Sequence, residues 1–109
     1  MAVIEWSDRA SRELEEHLDY ALAEFGRSTV KRWIRQIEHI ADRLEKYPAS
    51  YTPVAELQGT SRLFRGCTIM QNFKLIYFYE ELFDTVVIVT IWDMRRNPVR
   101  LVKLFKGRK

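Results

Sequence analysis

The C-terminal end of the chain carries a dense group of cationic side chains that could bind a polyanion or an acidic partner. Residues 95–109 contain seven Lys or Arg and no Asp or Glu, whereas residues 1–94 contain eleven Lys or Arg and fifteen Asp or Glu. The net charge of +3 therefore combines a basic tail with a slightly acidic body. Such asymmetry is typical of a domain that presents one surface to an anionic partner, although solvated surface charge is the alternative interpretation. The predicted binding residues are Arg95, Arg96, Arg100, Lys103 and Lys106.

The tail also has the pattern of a short amphipathic helix. Asn97 can cap this helix, and Pro98 suits its first position. Two apolar edges are compatible with the spacing, one formed by Val99, Val102 and Phe105 and one by Leu101, Leu104 and Phe105. The helix could dock on the rest of the fold or bind a partner. Its apolar edge is too narrow to favour a role at a membrane surface.

The remaining reactive side chains indicate neither a metal site nor a cofactor. Cys67 is the one cysteine, and the chain has no C-x-x-C or His-x-x-x-His spacing. Cys67 lies in an apolar, strand-like stretch, where a small buried side chain is more typical than a nucleophile. The N-terminus lacks the features of a signal peptide, and no stretch approaches the ~18 apolar residues of a membrane span. We therefore expect a cytoplasmic protein.

The first half of the chain predicts a short strand followed by a helical hairpin. Val3–Trp6 is strand-like, and Ser7 is a suitable N-cap for the first helix, which Gly26 ends. Ser28 is the expected cap of a second helix that ends at Tyr47-Pro48. The apolar stripe of the first helix comprises Ala10, Leu14, Leu18, Ala21, Leu22 and Phe25, and its solvent face comprises Glu13, Glu15, Glu16 and Asp19.

The second half predicts the sheet that covers this hairpin. After a loop from Pro48 to Pro53, strand-like runs cover Arg62–Gln71, Phe73–Glu80 and Thr85–Trp92. Consecutive antiparallel pairing is the economical topology for these runs, and the last one is apolar enough to be a central strand. The first strand would lie at the far edge of the sheet or beside the last strand. We thus expect one α+β domain over residues 1–109, with the order β-α-α-β-β-β and a mostly antiparallel sheet.

This order of elements, together with several short motifs, resembles the RelE/ParE superfamily of toxins from type II toxin-antitoxin systems. The resemblance covers nearly the whole chain. The residues that carry it are Val3–Ala10, Tyr20–Gly26, Tyr47-Pro48, Phe73–Tyr77 and Ile91–Pro98. It implies a toxin that inhibits growth and is neutralised by a cognate antitoxin, usually an acidic and partly disordered protein. A homodimer or a toxin-antitoxin hetero-oligomer is also implied.

Two mechanisms are implied by the resemblance. ParE-like members block DNA gyrase, whereas RelE-like members cut messenger RNA on the ribosome. Cutting RNA requires a base, an acid and cations around the phosphate. The cations that could serve in a nuclease are Arg62, Arg65, Lys74, Arg95 and Arg96, which would form a concave basic surface on one sheet face.

The candidate acid and base favour the ParE-like interpretation. Nucleases of this superfamily commonly keep a Tyr or His near the C-terminus, and none follows Tyr79 here. Glu56 or Asp93 could act on a proton, but an Asp in such a turn more often pairs with a nearby Arg. Trp92 and Tyr77 are expected to pack in the core rather than stack on a base. A ParE-like toxin without catalytic activity is therefore predicted, with a nuclease or a degenerate binding module of the same fold as alternatives.

Overall fold

A computed structural model describes residues 1–106, in which a helical hairpin and a C-terminal helix pack on a five-stranded sheet. This α+β architecture has the predicted β-α-α-β-β-β order with one additional short strand. The elements are β1 (Val3–Trp6), α1 (Asp8–Phe25), α2 (Arg27–Lys46), β2 (Thr52–Pro53), β3 (Phe64–Ile69), β4 (Phe73–Glu80), β5 (Thr85–Asp93) and α3 (Pro98–Lys106), with 3-10 helices at Ala55–Leu57 and Glu81–Phe83.

The sheet has the strand order β1-β5-β4-β3-β2, with β1 parallel to β5 and every other pair antiparallel. The last strand is an interior strand, flanked by β1 and β4, whereas the middle position that the sequence predicted for it is occupied by β4. The first strand lies beside β5 at the edge, one of the two predicted positions. The additional strand, β2, pairs with Gly66 and Arg65 of β3, in a segment that the sequence indicated as a loop. Its Pro53 is compatible with a strand at this position because an edge strand leaves one side of its backbone without ladder hydrogen bonds.

The two helices of the hairpin begin and end largely where the sequence predicts. Ser7 caps α1, because its side-chain oxygen accepts a hydrogen bond from the backbone N–H of Ala10 at 3.0 Å. Gly26 ends α1 with a φ of 88°, a conformation that favours glycine. The predicted Ser28 cap is wrong, since α2 begins at Arg27, directly after Gly26.

Two hydrophobic cores form, one on each face of the sheet. The larger core joins the hairpin to the sheet and includes Trp33, Leu44, Leu75, Tyr77, Ile88 and Ile91. The smaller core lies between the other sheet face and α3 and comprises Val54, Leu57, Phe64, Ile76, Trp92 and Leu101. Leu101 is buried whereas Val99 is exposed, which selects the second of the two apolar edges predicted for α3. The sheet is thus sandwiched between the hairpin and α3.

The solvent and core faces of α1 differ from the prediction in both halves of the helix. Leu22 and Phe25, predicted to be covered, remain 49% and 57% exposed. Glu13, predicted to face solvent, is half-buried and hydrogen-bonds to β5. A carboxylate can lie on the core side of a helix when it accepts hydrogen bonds from a neighbouring strand. No helix within residues 1–106 is long and apolar enough to cross a membrane.

Candidate target-binding surface

A bulge in β5 determines which side chains reach each sheet face at the C-terminal end of the strand. Tyr77 of β4 pairs with Ile88, but the preceding residue of β4 pairs with Thr90, so Val89 is the extra residue. Both Ile88 and Ile91 consequently join the hairpin-side core, although they are three positions apart. Trp92 is thereby directed into the α3-side core.

Polar side chains from α1 and its cap satisfy the backbone around this bulge. The Ser7 hydroxyl donates to the carbonyl oxygen of Val89 at 3.1 Å. The Glu13 carboxylate accepts from the Thr90 hydroxyl at 2.7 Å and from the Ile91 N–H at 3.2 Å. Because Thr90 is fully buried, these bonds satisfy groups that water cannot reach. The bulge is therefore held by α1 and fixes the direction of Trp92.

Two cations lie around Trp92 on the α3 side of the sheet. The Arg96 guanidinium carbon is 4.8 Å from the centroid of the Trp92 ring, within the range of a cation–π contact. Lys74 pairs directly with Trp92 across β4 and β5, so both side chains point to the same face. Lys74 and Arg96, two of the predicted site residues, are thus brought together.

Arg95 occupies the opposite side of the strand end, where Asp93 neutralises much of its charge. Two Arg95 nitrogens bond the two Asp93 oxygens at 3.0 and 2.9 Å, and the Arg95 backbone N–H also donates to Asp93. The hydrogen bond from Arg95 lowers the pKa of Asp93, and the same contact raises the pKa of Arg95. The Arg95 guanidinium lies 5.9 Å from the ring centroid of Phe73, which belongs to the hairpin-side core. The predicted pairing of Asp93 with an arginine is confirmed.

The remaining predicted cations lie apart from these two groups. Arg62 forms an ion pair with Glu80 at 3.2 Å and covers the ring of Phe78 on the α3 side. Arg65 pairs with Tyr77 in the sheet, so it points to the hairpin side, where it donates to the carbonyl oxygen of Tyr51 at 2.8 Å. The prediction of one basic surface on one sheet face is therefore wrong, because strand alternation divides these residues between two faces.

Helix α3 adds exposed cations on the same side of the sheet as Trp92. Asn97 caps it as predicted, accepting a hydrogen bond from the N–H of Val99 at 3.0 Å. The Phe105 ring packs against Phe64 with 4.8 Å between the centroids, which anchors the helix on the sheet. Arg100 and Lys103 are exposed, whereas the side chain of Lys106 and all of residues 107–109 lie outside the described part of the chain.

The groups that could transfer protons near the sheet are held in other roles. Burial raises the pKa of Tyr77 to about 12, and its hydroxyl donates to the carbonyl oxygen of Pro48 at 2.7 Å. Burial raises the pKa of the Cys67 thiol to about 11, which disfavours the reactive thiolate. His17 stacks on Phe73 at 4.1 Å, with Nε2 lying 3.4 Å from the carbonyl oxygen of Ile91. Within residues 1–106, no three His, Cys, Asp or Glu side chains form a group that could hold a metal ion.

The sequence interpretation missed a second group of cations, on α2. Arg32, Arg35 and His39 line a groove of about 450 Å³ between α2 and the turn that joins β3 to β4. Their spacing of three and four residues places them on one side of the helix, and this spacing is the signal that could have identified them.

Comparisons with known proteins identify the family. The sequence profile described as "ParE toxin of type II toxin-antitoxin system, parDE" matches residues 4–98. No curated protein sequence matches significantly. Among solved structures, the fold is similar to that in "Chromosomal ParDE TA system from P. aeruginosa", with a TM-score of 0.66, 16% identity, and coverage of 85% of this chain and 96% of that chain.

Two further structures share the fold. A metal-bound toxin from Helicobacter pylori has a TM-score of 0.63 at 17% identity, covering 87% of this chain and 97% of its own. The isolated RelE toxin from E. coli has a TM-score of 0.59 at 12% identity, covering 95% of this chain and 96% of its own. The fold is thus common to a ParDE system and to a RelE toxin, and the matching sequence profile is that of ParE toxins. The chain belongs to the ParE toxin family of type II toxin-antitoxin systems.

Proposed function

We propose that this protein inhibits bacterial growth by binding a nucleic-acid-handling target such as DNA gyrase, without cutting RNA, and that a cognate antitoxin neutralises it. The observation that carries this proposal is the group of cations around Trp92. Lys74 and Arg96 lie on the same sheet face as the indole, and Arg100 and Lys103 are exposed on the adjoining helix α3. A positive surface of this kind attracts an enzyme or complex with an acidic or nucleic-acid component.

The division of cations between the sheet faces supports a binding role over RNA cleavage. Phosphodiester cleavage needs several cations converging on one phosphate with a base and an acid within hydrogen-bond reach. Here Arg65 points to the hairpin side, Arg62 is paired with Glu80, and Arg95 is paired with Asp93. Asp93 is also a poor proton acceptor, because its bonds to Arg95 lower its pKa.

The test is induced expression in a bacterial host, with growth, plasmid supercoiling and message integrity followed in parallel. We expect growth arrest with loss of supercoiling and intact messages. The Lys74→Gln/Arg96→Gln variant should lose most of this effect, because both cations flank Trp92. The matched control, Arg12→Gln/Lys31→Gln, removes the same charge from exposed positions of α1 and α2 and should remain toxic.

The alternatives give different results in the same experiment. Defined cuts in translated messages would replace the gyrase proposal with the RelE-like nuclease. Normal growth with an abundant, folded protein would indicate a degenerate binding module. Equal toxicity of the Lys74→Gln/Arg96→Gln variant and the control would show that the surface around Trp92 is not the target-binding surface.

A further inference from the structure

We propose that a cavity between the start of α1, the sheet and the end of α3 binds a small phosphate monoester that carries an aromatic ring, such as a nucleoside monophosphate. We call it the Arg9 cavity, since Arg9 and Arg62 are the cations that line it. It shares no lining residue with the cations around Trp92, namely Lys74, Arg96, Arg100 and Lys103. The inference is therefore independent of the proposed target and of the antitoxin.

The Arg9 cavity is an open space of about 360 Å³ on the α3 side of the sheet. Small-molecule sites commonly have volumes of about 300–1,000 Å³, so one small organic molecule fits here. Val89, the extra residue of the β5 bulge, lines the cavity together with Leu104 and Phe105 of α3. The Phe105 ring packs against Phe64 with 4.8 Å between the centroids, so the wall formed by α3 is in place before a ligand binds.

The charge of Arg9 is not offset by a carboxylate in the part of the chain that the structure describes. The ion pairs among residues 1–106 are Arg62–Glu80 and Arg95–Asp93, and neither involves Arg9, although its side chain is half-buried. A charge that is partly removed from water costs free energy unless an opposite charge accompanies it. Guanidinium groups bind phosphate oxygens in a planar, two-pronged geometry, so a phosphate between Arg9 and Arg62 would supply the missing negative charge.

The aromatic walls of the Arg9 cavity favour a ligand that carries a flat ring besides its phosphate. Phe64, Phe78 and Phe105 all line the cavity. The Arg62 guanidinium carbon lies 4.1 Å from the centroid of the Phe78 ring, which is a close cation–π contact. A planar guanidinium that stacks on one ring can accept a second ring on its other face. Inorganic phosphate would use the arginines alone and leave these rings exposed to water.

The acidic side chains next to the Arg9 cavity favour a small monoester over a nucleic-acid strand. Arg62 and Phe78 also line the adjoining cavity, whose other lining residues include Glu5 and Glu80. A strand that continued past Arg62 would bring its next phosphate towards these carboxylates, and like charges repel. Glu80 also pairs with Arg62 at 3.2 Å, but both side chains are partly exposed, so this ion pair is weak and a phosphate can compete with it.

The test is a calorimetric and NMR titration of the ¹⁵N-labelled protein at neutral pH with AMP, adenosine and inorganic phosphate. We expect AMP to bind and to shift the backbone amide signals of Ser61 and Val89, which line the cavity. Adenosine and inorganic phosphate should each bind about tenfold more weakly than AMP, because each lacks one of the two groups that the cavity accommodates. AMP should also raise the melting temperature of the protein, since a ligand that binds only the folded state stabilises it.

Matched single variants locate the site. Arg9→Gln should weaken AMP binding about tenfold, because charge-assisted hydrogen bonds to the phosphate are lost. Arg12→Gln removes the same charge from an exposed position on the same helix and should leave AMP binding within about twofold. Glu80→Gln should tighten AMP binding about twofold, because it removes the carboxylate that competes for Arg62. Glu81→Gln is its control, since Glu81 is exposed and lines neither cavity.

Four outcomes would overturn the inference. Inorganic phosphate that binds as tightly as AMP would indicate a simple anion site, and equal affinities of Arg9→Gln and Arg12→Gln would place AMP elsewhere. Loss of AMP binding in Lys74→Gln/Arg96→Gln but not in Arg9→Gln would assign it to the surface around Trp92. Single-stranded DNA of twelve nucleotides without a terminal phosphate, if it bound more tightly than AMP and required Arg9, would indicate a nucleic-acid site.

Two features of the design keep the test decisive. If Arg9→Gln fails to fold, which its amide spectrum would show, the comparison of Glu80→Gln with Glu81→Gln still tests the cavity. Equal AMP affinity of those two variants would then contradict the inference. None of these measurements depends on toxicity, so AMP binding in the Arg9 cavity stands or fails separately from the proposed target surface.

Discussion

Removing the Glu13 carboxylate should destabilise the fold far more than its position on an acidic helix implies. The Glu13→Ala substitution deletes the acceptor of two hydrogen bonds, from the Thr90 hydroxyl and the Ile91 N–H. Hydrogen bonds to charged groups contribute about 1.5–3 kcal/mol each, and the buried donors are left unsatisfied. Glu13 itself is only half-buried, so we take the lower end for both bonds and expect a loss of about 3 kcal/mol in the free energy of unfolding.

Urea unfolding followed by tryptophan fluorescence measures this loss directly. Glu16→Ala is the matched control, because Glu16 is exposed on the same helix and the change should cost less than about 0.5 kcal/mol. Combining Glu13→Ala with Thr90→Val should cost less than the sum of the single changes, since the two residues share one hydrogen bond. Equal stability of Glu13→Ala and Glu16→Ala would refute the conclusion that this carboxylate holds the β5 bulge.

Three further predictions concern single residues. Gln71→Gly should raise the free energy of unfolding by about 1 kcal/mol, measured in urea, because φ is 67° there and glycine adopts this conformation without steric cost. The hydrogen bond from Arg95 lowers the pKa of Asp93 in the fold, so the carboxylate stabilises the fold above the ordinary Asp pKa, and this stabilisation disappears as pH falls through the folded-state pKa. In thermal melts, the wild type should therefore lose its higher melting temperature relative to Asp93→Asn as the pH is lowered into the acid range. Burial raises the pKa of Cys67 to about 11, so maleimide labelling at pH 8 should be slow in the native protein and fast in urea.

The element order and the helix caps follow from local sequence rules. Ser7 and Asn97 cap their helices as predicted, because a cap depends on a side chain and backbone groups only a few residues away. The prediction of Ser28 as a cap failed for an equally local reason, since Gly26 can end one helix and begin the next. Local rules were thus sufficient for the order of elements apart from β2, and they gave a boundary error of two residues at the start of α2.

The facing of Trp92 and of the cations that follow it could not be derived from the sequence, because it depends on the β5 bulge. Val86–Val89 is apolar at every position, so the sequence shows no break in alternation at Val89. The bulge reverses the facing of every residue after it, which directs Trp92 to the α3 side. Its stabilisation by Glu13 joins residues 77 positions apart along the chain. Contacts of that range leave no local pattern.

The parallel pairing of β1 with β5 has a consequence for how the toxin is made in the cell. Ser7 and Val89, which hydrogen-bond where these two strands meet, are 82 residues apart in sequence. Contacts between such distant residues form late and slowly in folding, after local helices. During synthesis, the α1–α2 hairpin emerges early, and the sheet lacks β5, which joins β1 to β4, until the ribosome has added residues 85–93. The nascent toxin is therefore incomplete for most of its translation, and the surface around Trp92 forms only after β5 has been added.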